Sequence, residues 1–308
     1  MLPCTRRTLI VSNIKSTFRC GCVCTRVWVK IRGRDSTAVD WGRRIAEYLQ
    51  KRGIEVYVDP ILHHSVSLPR LSEHEARQAD LAVIIGGDGT LLQTVQRSGA
   101  KLPPIVGFTV GSLGYLLPHR VEDYAEVLEG LVSGRYSVRK VSLGEFSLGE
   151  HRGLFLNEVS VWGLRGKLIE YSLYVGGVEF FRARSDGVII STPAGSTAHA
   201  LSYGGPILLD LDKPMLEVVF AGGLSSFLKP LVVYDSPVSV RVEKHPAFVV
   251  VDGQRELSLE YSQTIVVKPA HTYLELIVVE PYVNPLEKLY LRLTDLNRWK
   301  PSSPARGV

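Results

Sequence analysis

The chain has 308 residues, 45% of them hydrophobic and 22% charged, a balance that suits a soluble two-domain protein and contains no apolar run long enough to span a bilayer. Its formal charge of +5 would suggest a polyanionic partner, but residues 1–34 carry eight basic groups and no acidic one, and the remainder holds 28 basic against 31 acidic. A basic balance confined to one end argues against both a nucleic-acid and a membrane partner.

Taken in chain order, residues 1–26 are expected to form a basic, poorly ordered extension. All four cysteines (Cys4, Cys20, Cys22, Cys24) lie there, which excludes a disulfide framework for the body and fits a cytoplasmic protein. Cys20-Gly-Cys-Val-Cys24 lacks zinc-knuckle spacing, and Leu9-Ile10-Val11 is too short for a signal-peptide core. Regular patterning starts at Val27–Ile31, a predicted strand, followed by a helix capped by Ser36 or Thr37 and ended by Gly53. Ile54–Val58, Leu81–Ile85 and Ile105–Phe108 read as further strands, with helices over 90–98 and 121–132. Strands alternating with helices predict a Rossmann-like parallel α/β layer over 27–133. From 134 to 284 most segments read as strands between Gly, Pro and Asp turns, predicting an all-β, sandwich-like domain. Pro285–Trp299 carries Leu286, Leu289, Tyr290 and Leu293 on a stripe, so 285–299 is expected as a C-terminal helix returning to the first domain, with 300–308 a frayed tail.

The strongest chemical signal is Gly86-Gly-Asp-Gly-Thr90, placed where a buried-type strand hands over to a helix. Glycines there admit a ligand close to the backbone, and a helix start favours phosphate. A lone Asp88 would repel that phosphate, so it reads as a metal ligand or as the base that takes a proton from an attacking hydroxyl. The plainer reading is a tight turn capped by Asp88 or Thr90. A second cluster, Ser185 to Pro206, opens from a strand into a hydroxyl-rich loop that can offer hydrogen bonds to a polyhydroxylated ligand. A third, Asn157-Glu158, is a polar pair within an apolar strand, which needs partners or a ligand and, taken by itself, reads more simply as a strand end at the surface. Asp252-Gly253 reads as a hairpin tip.

Together these motifs resemble, in order and spacing, those of NAD kinases, over about Val27 to Trp299. The Gly-Gly-Asp-Gly-Thr motif is shared with diacylglycerol and sphingosine kinases, whereas the second loop is more specific. The resemblance implies phosphorylation of the 2′-hydroxyl of the adenosine ribose of NAD to give NADP, with ATP or polyphosphate as donor and Mg²⁺ as the accompanying cation. It assigns Asp88 as the base and Gly86, Gly87, Gly89 and Thr90 as the phosphate turn. Asn157 and Glu158 would hold the adenine and ribose. Asp186 with Thr197, Ala198, His199, Ala200, Leu201 and Ser202 would line the dinucleotide pocket, partly across a subunit interface of a dimer or tetramer. Lys167 and Arg184 would meet the pyrophosphate, and Gln254 would reach in from the hairpin. No dedicated protein metal site is implied. The chain departs from the family at Ala194, usually Thr, and at His199, usually a Tyr that stacks on a base. A histidine there makes affinity pH-dependent. It departs again in Ala221-Gly-Gly-Leu-Ser-Ser226, where a Pro-His pair is usual. Rival readings are a superfamily kinase acting on a lipid or sugar hydroxyl, and a catalytically silent dinucleotide sensor.

Overall fold

The computed structural model describes residues 26–280 except 34, 100, 112–113 and 224–227, together with 282 and 284–296. The cysteine-containing extension (residues 1–25), the 224–226 part of the departing loop, the end of the C-terminal helix and the tail (297–308) lie outside the described residues.

Four parallel strands, β1 (Arg26–Ile31), β2 (Glu55–Val58), β3 (Leu81–Gly86) and β4 (Ile105–Thr109), lie in the spatial order β4-β3-β1-β2. Every residue of β3 and β4 is buried, because helices cover both faces of a parallel sheet. The helices are α1 (Ser36–Gln50), the single turn α2 (Pro60–His63), α3 (Asp88–Ser98) and α4 (Tyr124–Val132). The cap of α1 is Asp35, whose extended backbone lets its carboxylate accept the Thr37 N–H at 3.0 Å, one residue ahead of the expected Ser36 or Thr37. Inside this layer Lys30 is 1% exposed and sits between Asp59 at 2.9 Å and Glu73 at 3.0 Å, with Arg97 of α3 at 3.5 Å from Glu73. This buried network ties α3 to β1.

The remaining strands are β5 (His119–Arg120), β6 (Ser137–Leu148), β7 (His151–Phe155), β8 (Glu158–Gly163), β9 (Ile169–Val175), β10 (Val178–Ser185), β11 (Gly187–Ser191), β12 (Met215–Ala221), β13 (Leu231–Tyr234), β14 (Val238–Lys244), β15 (Ala247–Val251), β16 (Arg255–Leu259) and β17 (Thr264–Val278). Six form an antiparallel sheet in the order β13-β12-β11-β8-β15-β16. Its inner face (Val159, Val161, Val188, Ile190, Val218) packs on Leu173, Val240 and Val267 from β9, β14 and β17.

The predicted α/β part and β-rich part are joined through β17. Its first half pairs with β14 in the sandwich, its register shifts between Pro269 and Tyr273, and its end pairs parallel with β4. One eleven-stranded sheet therefore runs through both parts. The C-terminal helix α6 (Pro285–Leu296) returns to the first part, as expected, with Leu289 packed among Leu91, Val95 and Leu117. The inward face differs from the predicted stripe: Lys288 and Leu289 are buried, whereas Leu286, Tyr290 and Leu293 are exposed.

Candidate active site

Helix α3 begins at Asp88 itself, two residues before the predicted start, so Asp88, Gly89 and Thr90 form its first turn. Gly87 is the N-cap, and its N–H reaches the Thr90 hydroxyl at 3.4 Å. Thr90, not Asp88, thus caps the turn, and the Asp88 carboxylate is free to face the loop after β4. It is half-buried there and held by three backbone donors. Oδ2 accepts the Tyr115 N–H at 2.6 Å, and Oδ1 accepts the N–H groups of Leu116 at 3.0 Å and Leu117 at 3.4 Å. The approach is close enough that a side chain at Gly114 would place its Cβ 2.4 Å from Oδ1. A carboxylate has about four acceptor positions. Three are used, and one on Oδ2 remains for a hydroxyl.

The second part of the site is built on Asp252. Asp252-Gly253 forms the turn between β15 and β16, as the sequence predicts, yet Asp252 is 4% exposed, with φ +48°. Its carboxylate accepts the N–H groups of Leu156 at 2.9 Å, Asn157 at 2.7 Å and Glu158 at 3.1 Å, and the Gln96 amide of α3 at 2.9 Å. Burial pushes its carboxyl up from the usual range, against the pull of these four donors. Gln96 also donates to the Leu154 carbonyl at 2.9 Å. The helix that begins with Asp88 is therefore bonded directly to the strand break that carries Asn157 and Glu158. That break divides the apolar strand predicted around Asn157-Glu158 into β7 and β8.

Asn157 is half-buried in the break. Its carbonyl accepts the Thr192 N–H at 2.8 Å and packs so tightly on the second loop that a Cβ at Gly195 would lie 2.1 Å away. Within that loop the buried hydroxyls serve the loop itself. Thr192 donates to the Leu156 carbonyl, Ser196 to Pro193 at 2.8 Å and Thr197 to Ala194 at 3.3 Å. They shape the wall, and α5 (His199–Ser202) follows directly.

Glu158 opens β8 and is buried, with no hydrogen-bond partner for Oε2. Burial, then the charge of Asp252, pushes its carboxyl up to about 8, so it carries its proton at neutral pH. Ser191 stands directly opposite Glu158 on one side and Glu217 of β12 on the other. Glu217 is fully buried with both oxygens unpartnered, and burial pushes it up to about 8 as well. The native state thus holds a Glu217 proton that the unfolded chain releases above about 4.5. The native state binds more protons between these values, so stability falls as pH rises through this window. We expect Glu217→Gln to make the decline in melting temperature from pH 5 to pH 9 shallower than in the parent, measured by scanning fluorimetry. Parallel declines would show that Glu217 does not hold that proton.

His199 is exposed and stacks on Trp162, ring centroids 5.5 Å apart at 28°, with Tyr203 edge-on at 5.4 Å. Partial burial lowers its pKa from the ordinary 6.5. The ring is therefore neutral at pH 7, and any change of charge falls on the acid side.

Two matches with known proteins now bear on this geometry. The chain fits the model of the ATP-NAD kinase N-terminal domain over residues 9–136 and that of the ATP-NAD kinase C-terminal domain over residues 156–279. It is 33% identical to an NAD kinase of Methanoregula boonei over 237 residues, 76% of this chain and 86% of that protein. The chain belongs to the NAD kinase family. An NAD kinase of Methanothermobacter thermautotrophicus is 32% identical over 253 residues, 78% of this chain and 87% of that protein. Among solved structures, an NAD kinase from Archaeoglobus fulgidus in complex with ATP aligns with TM-score 0.68 and 28% identity over 89% of this chain and 99% of that one. Yeast NADH kinase complexed with NADH aligns with TM-score 0.79 at 21% identity over 92% and 90% of the two chains, a likeness of fold.

In this member of the family the structure brings Gly86, Gly87, Asp88, Gly89 and Thr90 into one strand-to-helix turn. Asn157 and Glu158 are joined to it through Gln96 and Asp252. Thr197, Ala198, His199, Ala200, Leu201 and Ser202 follow on from the loop that packs on Asn157. Asp186 stands exposed at the start of β11, its carboxylate against Gly222. Three of the predicted residues are not drawn in. Arg184 is exposed and paired with Glu170 at 3.2 Å, Lys167 is exposed beside a cavity shared with Leu164, Arg165 and His245, and Gln254 is exposed in the β15–β16 turn. Sequence reasoning missed Gln96, Glu217 and the burial of Asp252. Gln96 shares its helix with Gln93 and Arg97, and nothing in the local sequence sets it apart.

Proposed function

We propose that this protein transfers the terminal phosphoryl group of a nucleoside triphosphate or polyphosphate to the 2′-hydroxyl of the adenosine ribose of NAD, giving NADP. The observation that carries this reading is the Asp88 clamp. A half-buried carboxylate at the start of α3 is held by three N–H groups and keeps one acceptor position on Oδ2. Such a group takes the proton of an attacking hydroxyl without searching for its orientation. Gly86, Gly87, Gly89 and Thr90 provide the turn and helix start suited to phosphate. Asn157 and Glu158 are proposed to hold the adenine and ribose. Glu158, protonated at neutral pH, can donate a hydrogen bond as well as accept one. Asp186 and the Thr197–Ser202 segment are proposed to line the dinucleotide pocket, completed by a second subunit. Lys167, Arg184 and Gln254 would join it only after moving from their present positions.

Among the described residues no group of three or more His, Cys, Asp or Glu side chains is placed to hold a metal ion. The divalent cation is proposed to arrive with the donor, as Mg²⁺ readily does through phosphate and water oxygens. Held there, it would supply charge neutralisation for the transferring group. The Archaeoglobus relative was solved in complex with ATP, which makes ATP the first donor to try. The cysteine-free body fits a reaction in the cytoplasm, and among the described residues no helix is long and apolar enough to cross a membrane. The test is NADP formation by the purified protein from NAD and Mg²⁺, with ATP and polyphosphate supplied separately. NADP with either donor is the expected result. NAD binding without product from any donor would overturn the proposal.

A further inference from the structure

Lys288 of α6 is 4% exposed, and its ammonium donates to the carbonyl of Leu117, 171 residues away in sequence. Leu117 belongs to the same three-residue segment whose N–H groups hold Asp88. The segment is thus gripped from both sides. Its amides face the carboxylate, and its last carbonyl faces a buried cation. A methionine would fill such a space without the solvation lost by a charged amine, so packing alone does not account for a lysine here.

The charged and titratable groups around Lys288 come from three elements. Asp88 lies on α3, Arg139 on β6, and Tyr115 in the clamping segment. Burial draws the Lys288 amine down from 10.5 to about 8, with Asp88 pulling it up and Arg139 pushing it further down. The Tyr115 hydroxyl is held above its ordinary 10, mainly by burial, and stays neutral through this range. Beside Tyr115 and Arg139 opens a cavity of about 510 Å³, which Lys140, Asp210 and Asn284 also line.

We propose that Lys288 is a positioning residue for the base: it fixes the Tyr115–Leu117 segment by its carbonyl and places a buried positive charge near Asp88 where donor phosphates approach. This rests on the role given to Asp88 above. The carboxylate and an incoming triphosphate crowd negative charge at this turn, and a buried ammonium nearby offsets it. The two contributions separate with pH. A neutral amine still donates an N–H to Leu117, so above about pH 8 the charge is lost while the geometry stays.

The test compares the parent with Lys288→Arg and Lys288→Met. In the parent, kcat/KM for the donor should fall on the alkaline side near pH 8, since that ratio reports groups of the free enzyme. Lys288→Arg should keep activity within about tenfold and move the fall beyond pH 10, because guanidinium does not deprotonate there. Lys288→Met should lose about 10- to 100-fold in kcat, the range of a misplaced general base, with NAD affinity within twofold and no fall near pH 8. A fall that stays near pH 8 in Lys288→Arg, or full kcat in Lys288→Met, would overturn the proposal. Should Lys288→Met not fold, the parent and Lys288→Arg decide. A readout independent of turnover is hydrogen exchange at the amides of Tyr115, Leu116 and Leu117, which should quicken in Lys288→Met and stay near the parent's rate in Lys288→Arg. Unchanged exchange in Lys288→Met would count against Lys288 alone, whereas absence of NADP from the parent would count against the kinase reading.

Discussion

Replacing Asp252 by alanine is expected to cost a large part of the protein's stability. The substitution strips a buried acceptor from Leu156, Asn157, Glu158 and Gln96 at once, the first and third of these donors being buried, Asn157 half-buried, and Gln96 keeping the Leu154 carbonyl. Each buried donor left unpaired costs roughly 1–3 kcal/mol, so the two buried ones alone amount to about 2–6 kcal/mol, against a typical whole-protein stability of about 5–15 kcal/mol. Alanine also loses about 1 kcal/mol in the left-handed backbone that Asp252 occupies at φ +48°. Thermal or urea denaturation should therefore find Asp252→Ala unfolded, or melting at least about 10 °C lower. Asp252→Asn keeps one acceptor oxygen and a residue type at ease with positive φ, and should lose roughly half as much. A melting temperature within 2 °C of the parent for Asp252→Ala would show that water replaces the carboxylate and that the link between α3 and β8 is dispensable.

Replacing Asp88 by asparagine is expected to lower kcat about 10²- to 10⁴-fold, the usual contribution of a positioned general base. NAD affinity should change little, because Asn157, Glu158 and the Thr197–Ser202 segment are untouched. The clamp makes this variant more than a loss of basicity. A carboxamide has one acceptor oxygen, so with that oxygen turned to Leu116 and Leu117 its amino group meets the Tyr115 N–H head-on, where the carboxylate now accepts at 2.6 Å. A stability loss of about 1–2 kcal/mol should accompany the loss of turnover. Turnover and NAD binding measured on the same preparation, with a melting curve, separate these effects. Near-normal kcat would remove Asp88 from the mechanism.

Much of this fold was legible because its signals are local. The run Leu81–Ile85 ending in Gly86-Gly87 states both the strand and the turn, and the structure adds only that α3 starts at Asp88. The polar pair Asn157-Glu158 stood out inside an apolar run, and it marks a break held from outside. What holds it was hidden. Asp252-Gly253 has the local chemistry of a turn, and nothing nearby tells that its carboxylate points inward to partners 94 to 156 residues away. Lys288 was hidden for a related reason. Periodicity in α6 follows apolar residues and favours Leu286, Tyr290 and Leu293, whereas the buried face is set by the Leu117 carbonyl. The sequence of β6, SVRKVSLGEFSL, alternates poorly, although the strand pairs with β17 along most of its length. The second half of β17 was masked by Pro269 and the polar His271-Thr272, where the register shifts. In the hydroxyl-rich loop, composition points to ligand contacts, and in the structure the hydroxyls of Thr192, Ser196 and Thr197 also bond to neighbouring carbonyls.

With Asp88 aiming a base at one hydroxyl of a dinucleotide, the position of the transferred phosphate is the decisive observation. Purified protein incubated with NAD, ATP and Mg²⁺ should give a product that NADP-specific dehydrogenases reduce and whose ³¹P spectrum shows a 2′-monoester, with Asp88→Asn forming it at least about 100-fold more slowly. A 3′-monoester, or the 2′ product formed equally fast by Asp88→Asn, would contradict it.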